Sequence, residues 1–399
     1  MTGMDLDDFT KSYIKLGLRI NKHINGYVEH YYGPPEIKKA IDAEEIVSPR
    51  NLLQDCKNIM DQIKNQGFDE KRYRFLEKTL VAIKTILRKL NGDKMPYLKQ
   101  VENLFDFTPL LINDDFFYDL ASQAEEIYKG KGTLSDRIKT YALRRMVSSN
   151  KIKSLMGEAI NIAKNRTKEL FPNLLPFKEK ILLNEVKDKS WSMYNTYLGN
   201  YTSRMDINIS KIHYWTSLLN LACHEGYPGH HMESAVRDHL LFRKKGYFET
   251  SILMIYTPEM VIYEGMGELA ERILFNPWES CKILLEKFCP NRNIEDEIEI
   301  LIKQNEVRSG FKGFSYNLAY YKYVKGWNDN ELIKYSREFK VIPESSIKTM
   351  LRFISDEIWA PYVPVYQGEK LIIKKFGNDP SPNQFKELMV KQTLPSDLK

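Results

Sequence analysis

Residues 224–231 read His224-Glu225-Gly226-Tyr227-Pro228-Gly229-His230-His231. A His followed directly by a Glu, with further imidazoles a turn or two on, is what a hydrolytic zinc site needs. Imidazoles bind the metal, and an adjacent carboxylate takes a proton from the water it activates. The chain carries seven His among 399 residues, and three of them fall in this window.

The helical form of such a motif is His-Glu-x-x-His, with both His on one helix face. Here the fourth residue after His224 is Pro228, and the next His are His230 and His231. On an unbroken helix they would lie about 9 to 10.5 Å further along the axis, too far for two ligands at ~2.0–2.1 Å from one ion. A break is therefore expected between them. Pro228 lacks an N–H and clashes with the carbonyl four back, and Gly229 opens backbone angles closed to other residues. A solvent-exposed Pro-Gly turn would carry the same residues. Against that, Trp215, Leu218, Leu219, Leu221 and Ala222 precede the motif at helical apolar spacing, which predicts that His224 ends a buried helix.

Two ligands leave a zinc site incomplete, and the stretch from Thr257 to Arg272 offers a third. Thr257 suits an N-cap and Pro258 the first helical position, with Pro277 bounding the far end. Along this predicted helix Glu264, Glu268 and Glu271 share one stripe. The alternative is a solvated acidic face paired with Arg272. Gly265 and Gly267 cost roughly 1 kcal/mol each relative to Ala in mid-helix, a cost that close approach of a backbone or a metal would justify.

Taken together, His-Glu-Gly-x-Pro-Gly-His-His and the later Glu-Gly-x-x-x-x-Ala-Glu resemble the domain of unknown function 885 family. That family is related to zinc metallopeptidases with a glutamate third ligand, such as the thimet oligopeptidase and carboxypeptidase Taq groups. The resemblance implies a mainly α body with a deep channel. It also implies His224, His230 and Glu264 as metal ligands, Glu225 as general base and Glu271 as a partner to a ligand His, with His231 and Glu268 as alternatives. Tyr31-Tyr32-Gly33-Pro34-Pro35-Glu36 and the tract from Gln367 to Leu388 extend it more weakly. Where the family has Glu-Gly-Trp-Ala, this chain has Glu264-Gly265-Met266-Gly267. A second family tract, which would line the cleft, is replaced by Phe314-Ser315-Tyr316-Asn317 ahead of Tyr320. From that tract Tyr320 is the expected oxyanion donor, and Arg308 is expected to hold a substrate carboxylate.

Composition fits an ordinary globular enzyme: 43% hydrophobic, 28% charged, net charge +6. No basic block or basic-aromatic stripe stands out, so no nucleic-acid partner is expected. No apolar run approaches a membrane span of ~18–20 residues, and Met1–Asp8 lacks the pattern of a signal peptide. Cys56, Cys223, Cys281 and Cys289 show no paired spacing and read as reduced thiols; the expected compartment is the cytoplasm.

Most segments read as amphipathic helices: Phe9 to His30, then 51–66, 70–90, 113–128, 133–148 and 149–170. Trp191 to Leu198 and Tyr201 to Ile209, around Gly199-Asn200, read as a β-hairpin. Such a hairpin either adds a strand to substrate backbone or only covers the core. Breaks at Asn91-Gly92-Asp93 and at Pro172 to Pro176 suggest an N-terminal helical region, 1–175, and a metal-site region, 176–399, in one compact body.

The expected architecture is thus mainly α, with a small hairpin or sheet beside the metal helix. The expected activity is a Zn2+-dependent hydrolase of short peptides or other amides. A non-peptidase metal-dependent amidohydrolase and a non-catalytic metal-retaining scaffold are the rivals. Oligomeric state is not legible.

Overall fold

A computed structural model describes residues 6–289 and 294–399. Most of the N-terminal stretch Met1–Asp8 lies outside the described residues. The chain is mainly α with a few short sheets. The expected helices form as Pro49–Gln62, Glu70–Leu90, Asp114–Ile127, Leu134–Leu143 and Ile152–Leu170. Ser48, Asp69, Asn113 and Thr133 each accept a backbone N–H of the first turn, which satisfies donors that the helix cannot.

Two boundaries differ from the sequence reading. The first helix runs only from Asp8 to Asn21. Gly26 takes φ +80°, the Asn21 side chain accepts the Val28 N–H at 2.9 Å, and Val28–Tyr31 becomes a strand antiparallel to Ile252–Met254. The helix expected over 133–148 stops at Leu143, because Met146–Val147 pairs with His213–Tyr214.

The hairpin forms as Met193–Tyr197 against Thr202–Asn208, turning through Gly199 at φ +79° and Asn200 at φ +50°. A third strand, Lys180–Val186, runs parallel along the other side of Thr202–Asn208. Its sequence, Lys-Ile-Leu-Leu-Asn-Glu-Val, has no clean alternation to announce it.

Two apolar clusters make up most of the core, and each draws on well-separated parts of the chain. The helix Pro258–Leu274 serves both. It gives Met260, Val261 and Tyr263 to one and Ile262, Met266, Leu269 and Ala270 to the other. Apolar side chains on nearly every face mark it as a central, buried helix. Its carboxylates are therefore placed inside the protein.

Candidate metal centre

The helix carrying the first His, Leu218–Glu225, packs Leu218, Leu219 and Ala222 into the core. It stops at Glu225, and a new helix, His230–Arg237, starts five residues on. The Tyr227–Pro228 peptide is cis. Residue 229 has to be Gly: a β-carbon there would stand 2.0 Å from the His224 carbonyl oxygen and 2.4 Å from that of Cys223. The expected break is real, and it folds the His230 ring back onto His224, edge to face at 4.5 Å between centroids.

The central helix supplies the third donor. His224 Nε2 lies 3.6 Å from Glu264 Oε2, and donor atoms of His224, His230 and Glu264 all lie within 4.8 Å of one another. Donors of a tetrahedral ion with ~2.1 Å bonds stand about 3.4 Å apart, so small side-chain rotations close the gap. The Nδ1 atom of His230 is buried with no hydrogen-bond partner, as a nitrogen meant for another ligand would be. Two imidazoles, one of them with an unpartnered buried nitrogen, and one carboxylate fit a zinc ion.

Both glycines of the central helix have structural reasons. A β-carbon at Gly267 would meet the His224 ring at 2.8–3.0 Å, and one at Gly265 would meet the Gly368 and Glu369 backbone at 2.6–2.9 Å. The Thr257 hydroxyl does not cap this helix; it donates to the Met254 carbonyl at 2.7 Å.

His231 is kept apart from the ligand group. Its Nδ1 lies 2.8 Å from Ser203 Oγ and its Nε2 3.0 Å from Glu179 Oε2. Glu179 also pairs with Lys164 at 2.7 Å and accepts from Tyr227. Although burial opposes it, these partners hold the Glu179 carboxyl down near about 2. An ionised carboxylate only accepts, so Nε2 carries the proton and Nδ1 accepts from Ser203. Both ring nitrogens of His231 are spent, and His230 is the one that joins the candidate ligand group.

The hairpin reaches the site through Asn195, whose backbone helps to hold the Glu225 carboxyl down. Its Nδ2 also donates to the Glu225 carbonyl at 2.7 Å. This edge strand thus holds Glu225, the candidate general base. Burial, with Glu264 and Glu268 nearby, pushes the Glu225 carboxyl up to about 7. Burial would lower the His224 pKa, but the nearby carboxylates of Glu264 and Glu225 raise it to about 9.

Other residues of the sequence reading fall elsewhere. Glu268 is ion-paired with Lys312, and Glu271 accepts from Ser280. Arg308 donates to Ser217 at 3.0 Å and Asn305 at 3.3 Å. The Tyr320 ring packs on Tyr316 and Tyr321, and no described contact ties it to the triad. The surrounding tract serves packing: Tyr316 and Asn317 bond to the backbone of Pro109 and Ile112. Cys223 is a core residue, and all four Cys are unpaired.

The structure also brings in residues that the sequence did not announce. Tyr362 donates to Glu264 Oε1 at 3.3 Å, which fixes that carboxylate with Oε2 toward His224. Tyr366 is 43% exposed, yet its phenol feels Glu264, Glu268, Glu225 and Glu29, which together with burial raise its pKa. On the strand Val28–Tyr31, burial lifts the Glu29 carboxyl to about 7, against the pull of the Tyr194 phenol. The Tyr263 ring lies flat on His230, 3.8 Å between centroids.

No family model matches the chain, and no curated protein matches it. Among solved structures, a Colwellia psychrerythraea protein described as a candidate lipoprotein is similar, with a TM-score of 0.52 at 13% identity over 91% of this chain and 71% of that one. A Shewanella oneidensis protein, described as a candidate lipoprotein of unknown function, aligns with a TM-score of 0.47 at 12% identity over 98% of this chain and 81% of that one. The first likeness is one of fold.

Proposed function

We propose that the chain is a zinc-dependent hydrolase of peptide or other amide bonds. The observation that carries this reading is the convergence of His224, His230 and Glu264, with Glu225 directly beside the first ligand. The two segments that resemble the domain of unknown function 885 family are the ones that converge, which supports membership as part of the proposal.

A zinc ion bound there would supply an acidified water and a positive charge for the substrate carbonyl oxygen. Glu225, held by Asn195 and buried enough to bind a proton near neutral pH, takes the proton from the attacking water and passes it to the leaving amine. Tyr366, 43% exposed and subject to the charges of Glu264 and Glu225, takes in this reading the oxyanion role expected of Tyr320. Tyr362 keeps Glu264 oriented.

A metal-retaining scaffold fits less well, since structural zinc sites are usually closed by four ligands and favour Cys. The His224 and Glu264 side chains keep 16% and 14% of their surface open to solvent. Glu225→Gln tests the catalytic reading on the zinc-loaded protein with a panel of short peptides. It should keep the metal and lose turnover by at least ~100-fold; retained turnover would remove Glu225 from the role.

Among the described residues no helix is long and apolar enough to cross a membrane. Four unpaired thiols favour the cytoplasm, whereas the fold shared with a candidate lipoprotein makes the cell envelope the rival. Fractionation of the native cell separates the two.

A further inference from the structure

The segment that orients Glu264 borders a second concavity. Tyr362 sits in the short helix Ala360–Gln367, and the two residues before it, Ala360 and Pro361, form one wall of a cleft of about 470 Å3. That is the size of a small-molecule site. None of the candidate zinc ligands lines it. Across from this wall Gly92, at φ +87°, turns the chain from the helix Glu70–Leu90 into the helix Tyr97–Phe105, and both helices line the cleft.

The polar groups that the walls leave unsatisfied define the ligand. Every hydroxyl in the cleft is committed: Thr85 donates to the Val81 carbonyl at 2.8 Å, Tyr97 to that of Ala360 at 3.1 Å, and Tyr323 to that of Ile354 at 2.7 Å. Gln100 is different. It is 7% exposed, and its Nε2 has no partner among the described residues. Its Oε1 faces the Lys89 ammonium at 3.5 Å, which fixes the end of the amide that carries the hydrogens. A buried N–H left unmade costs free energy that an acceptor would return.

Lys89 donates to the Glu357 carbonyl and to Gln100, and an ammonium has a third proton to give. Arg88 and Lys94 add two more cations, against the acids Asp93 and Glu357. Asp93 is already engaged by Arg88 at 2.7 Å. The stacked rings of Tyr97 and Tyr323, with Met95 and Pro361, give the cleft an apolar part. The free groups are thus donors on a positive background, beside apolar surface.

We infer that this cleft binds a small organic acid, whose carboxylate accepts from Gln100 Nε2 and Lys89 Nζ while its apolar body lies against Tyr97, Met95 and Pro361. The site takes no part in the proposed hydrolysis and does not depend on that reading.

Fluorine NMR titration of the zinc-loaded chain tests it, with 3-(4-fluorophenyl)propanoate and its neutral amide as probes at ~0.15 M salt. The acid should bind at least ~10-fold tighter than the amide, the size of one good charge-assisted contact. Lys89→Met should bring the two probes within about twofold. Gln100→Met keeps length and apolar bulk but has no N–H. It should weaken the acid several-fold and, without probe, leave thermal stability at least at the wild-type level, because it removes an unmade donor. Both variants should hold zinc at wild-type stoichiometry, and either carries the test if the other does not fold. Equal binding of acid and amide by the wild type, or no binding of the acid at about 20 mM, overturns the inference and leaves the Gln100 amide to water. A preference for the acid that survives in the folded variants overturns it too, by placing the carboxylate elsewhere, on the zinc ion first of all. Neither result touches the hydrolase reading.

Discussion

The ring of His224 rests on the bare Cα of Gly267: its Nδ1 and Nε2 lie 2.9 and 3.0 Å from where a β-carbon of residue 267 would stand. One helix thus supplies a ligand, Glu264, and the groove that seats another. Gly267→Ala adds a single methyl and, on a helix, should favour folding by local propensity. It must nevertheless push the His224 ring away from Glu264. The expected result is unchanged or slightly raised thermal stability of the metal-free protein with zinc affinity down ~10–100-fold, read by competition with a chromogenic chelator.

His230 and His231 are neighbours with separate duties. His230→Ala should abolish zinc binding. His231→Ala should keep zinc, yet it takes the buried partner from Ser203, removes one of the three partners of Glu179 and opens a cavity, at a cost of about 2–3 kcal/mol. Zinc titration together with urea denaturation of the two variants separates a ligand from a structural residue.

Zinc must compete with a proton at His224, whose pKa in the metal-free protein is raised to about 9 by Glu264 and Glu225 against the effect of burial. Only the neutral imidazole binds, so apparent zinc affinity should fall by up to ~10-fold per pH unit as pH drops below about 9. Loading zinc near pH 8 should release a proton to a weakly buffered indicator, and His224→Ala should lose that release.

Glu233 lies one turn into the second motif helix, 1% exposed, with Oε2 lacking a partner. Burial, reinforced by Glu259 and Glu264 against the pull of Arg237, lifts its carboxyl to about 8 from an ordinary 4.5. A raised carboxyl binds its proton more tightly in the folded state. Its stabilising contribution is therefore complete below about pH 4.5 and is lost as pH rises through about 8. The loss is of the order of 5 kcal/mol at most. Glu233→Gln, which cannot ionise, should raise the melting temperature at pH 8.5 and change it little at pH 4.5.

What could be read in the sequence was local. Pro228-Gly229 announced a break because those residues forbid a continuous helix, and the break folds His230 onto His224. The spacing of Trp215, Leu218, Leu219 and Ala222 announced a buried helix, and Gly199-Asn200 announced a hairpin. The residues that complete the site carry no local mark. Tyr362 and Tyr366 are two among 24 Tyr, singled out only by long-range packing. The tract around Tyr320 is occupied with Pro109 and Ile112. The strand Lys180–Val186 has no apolar alternation, since none of its side chains is fully buried.

Zinc content of the purified chain, after loading and exhaustive dialysis, bears most directly on the central claim. The account predicts one zinc per chain, lost in His224→Ala and in Glu264→Ala and kept in His231→Ala. A wild-type chain that retains no zinc, or variants that retain as much as wild type, would contradict it.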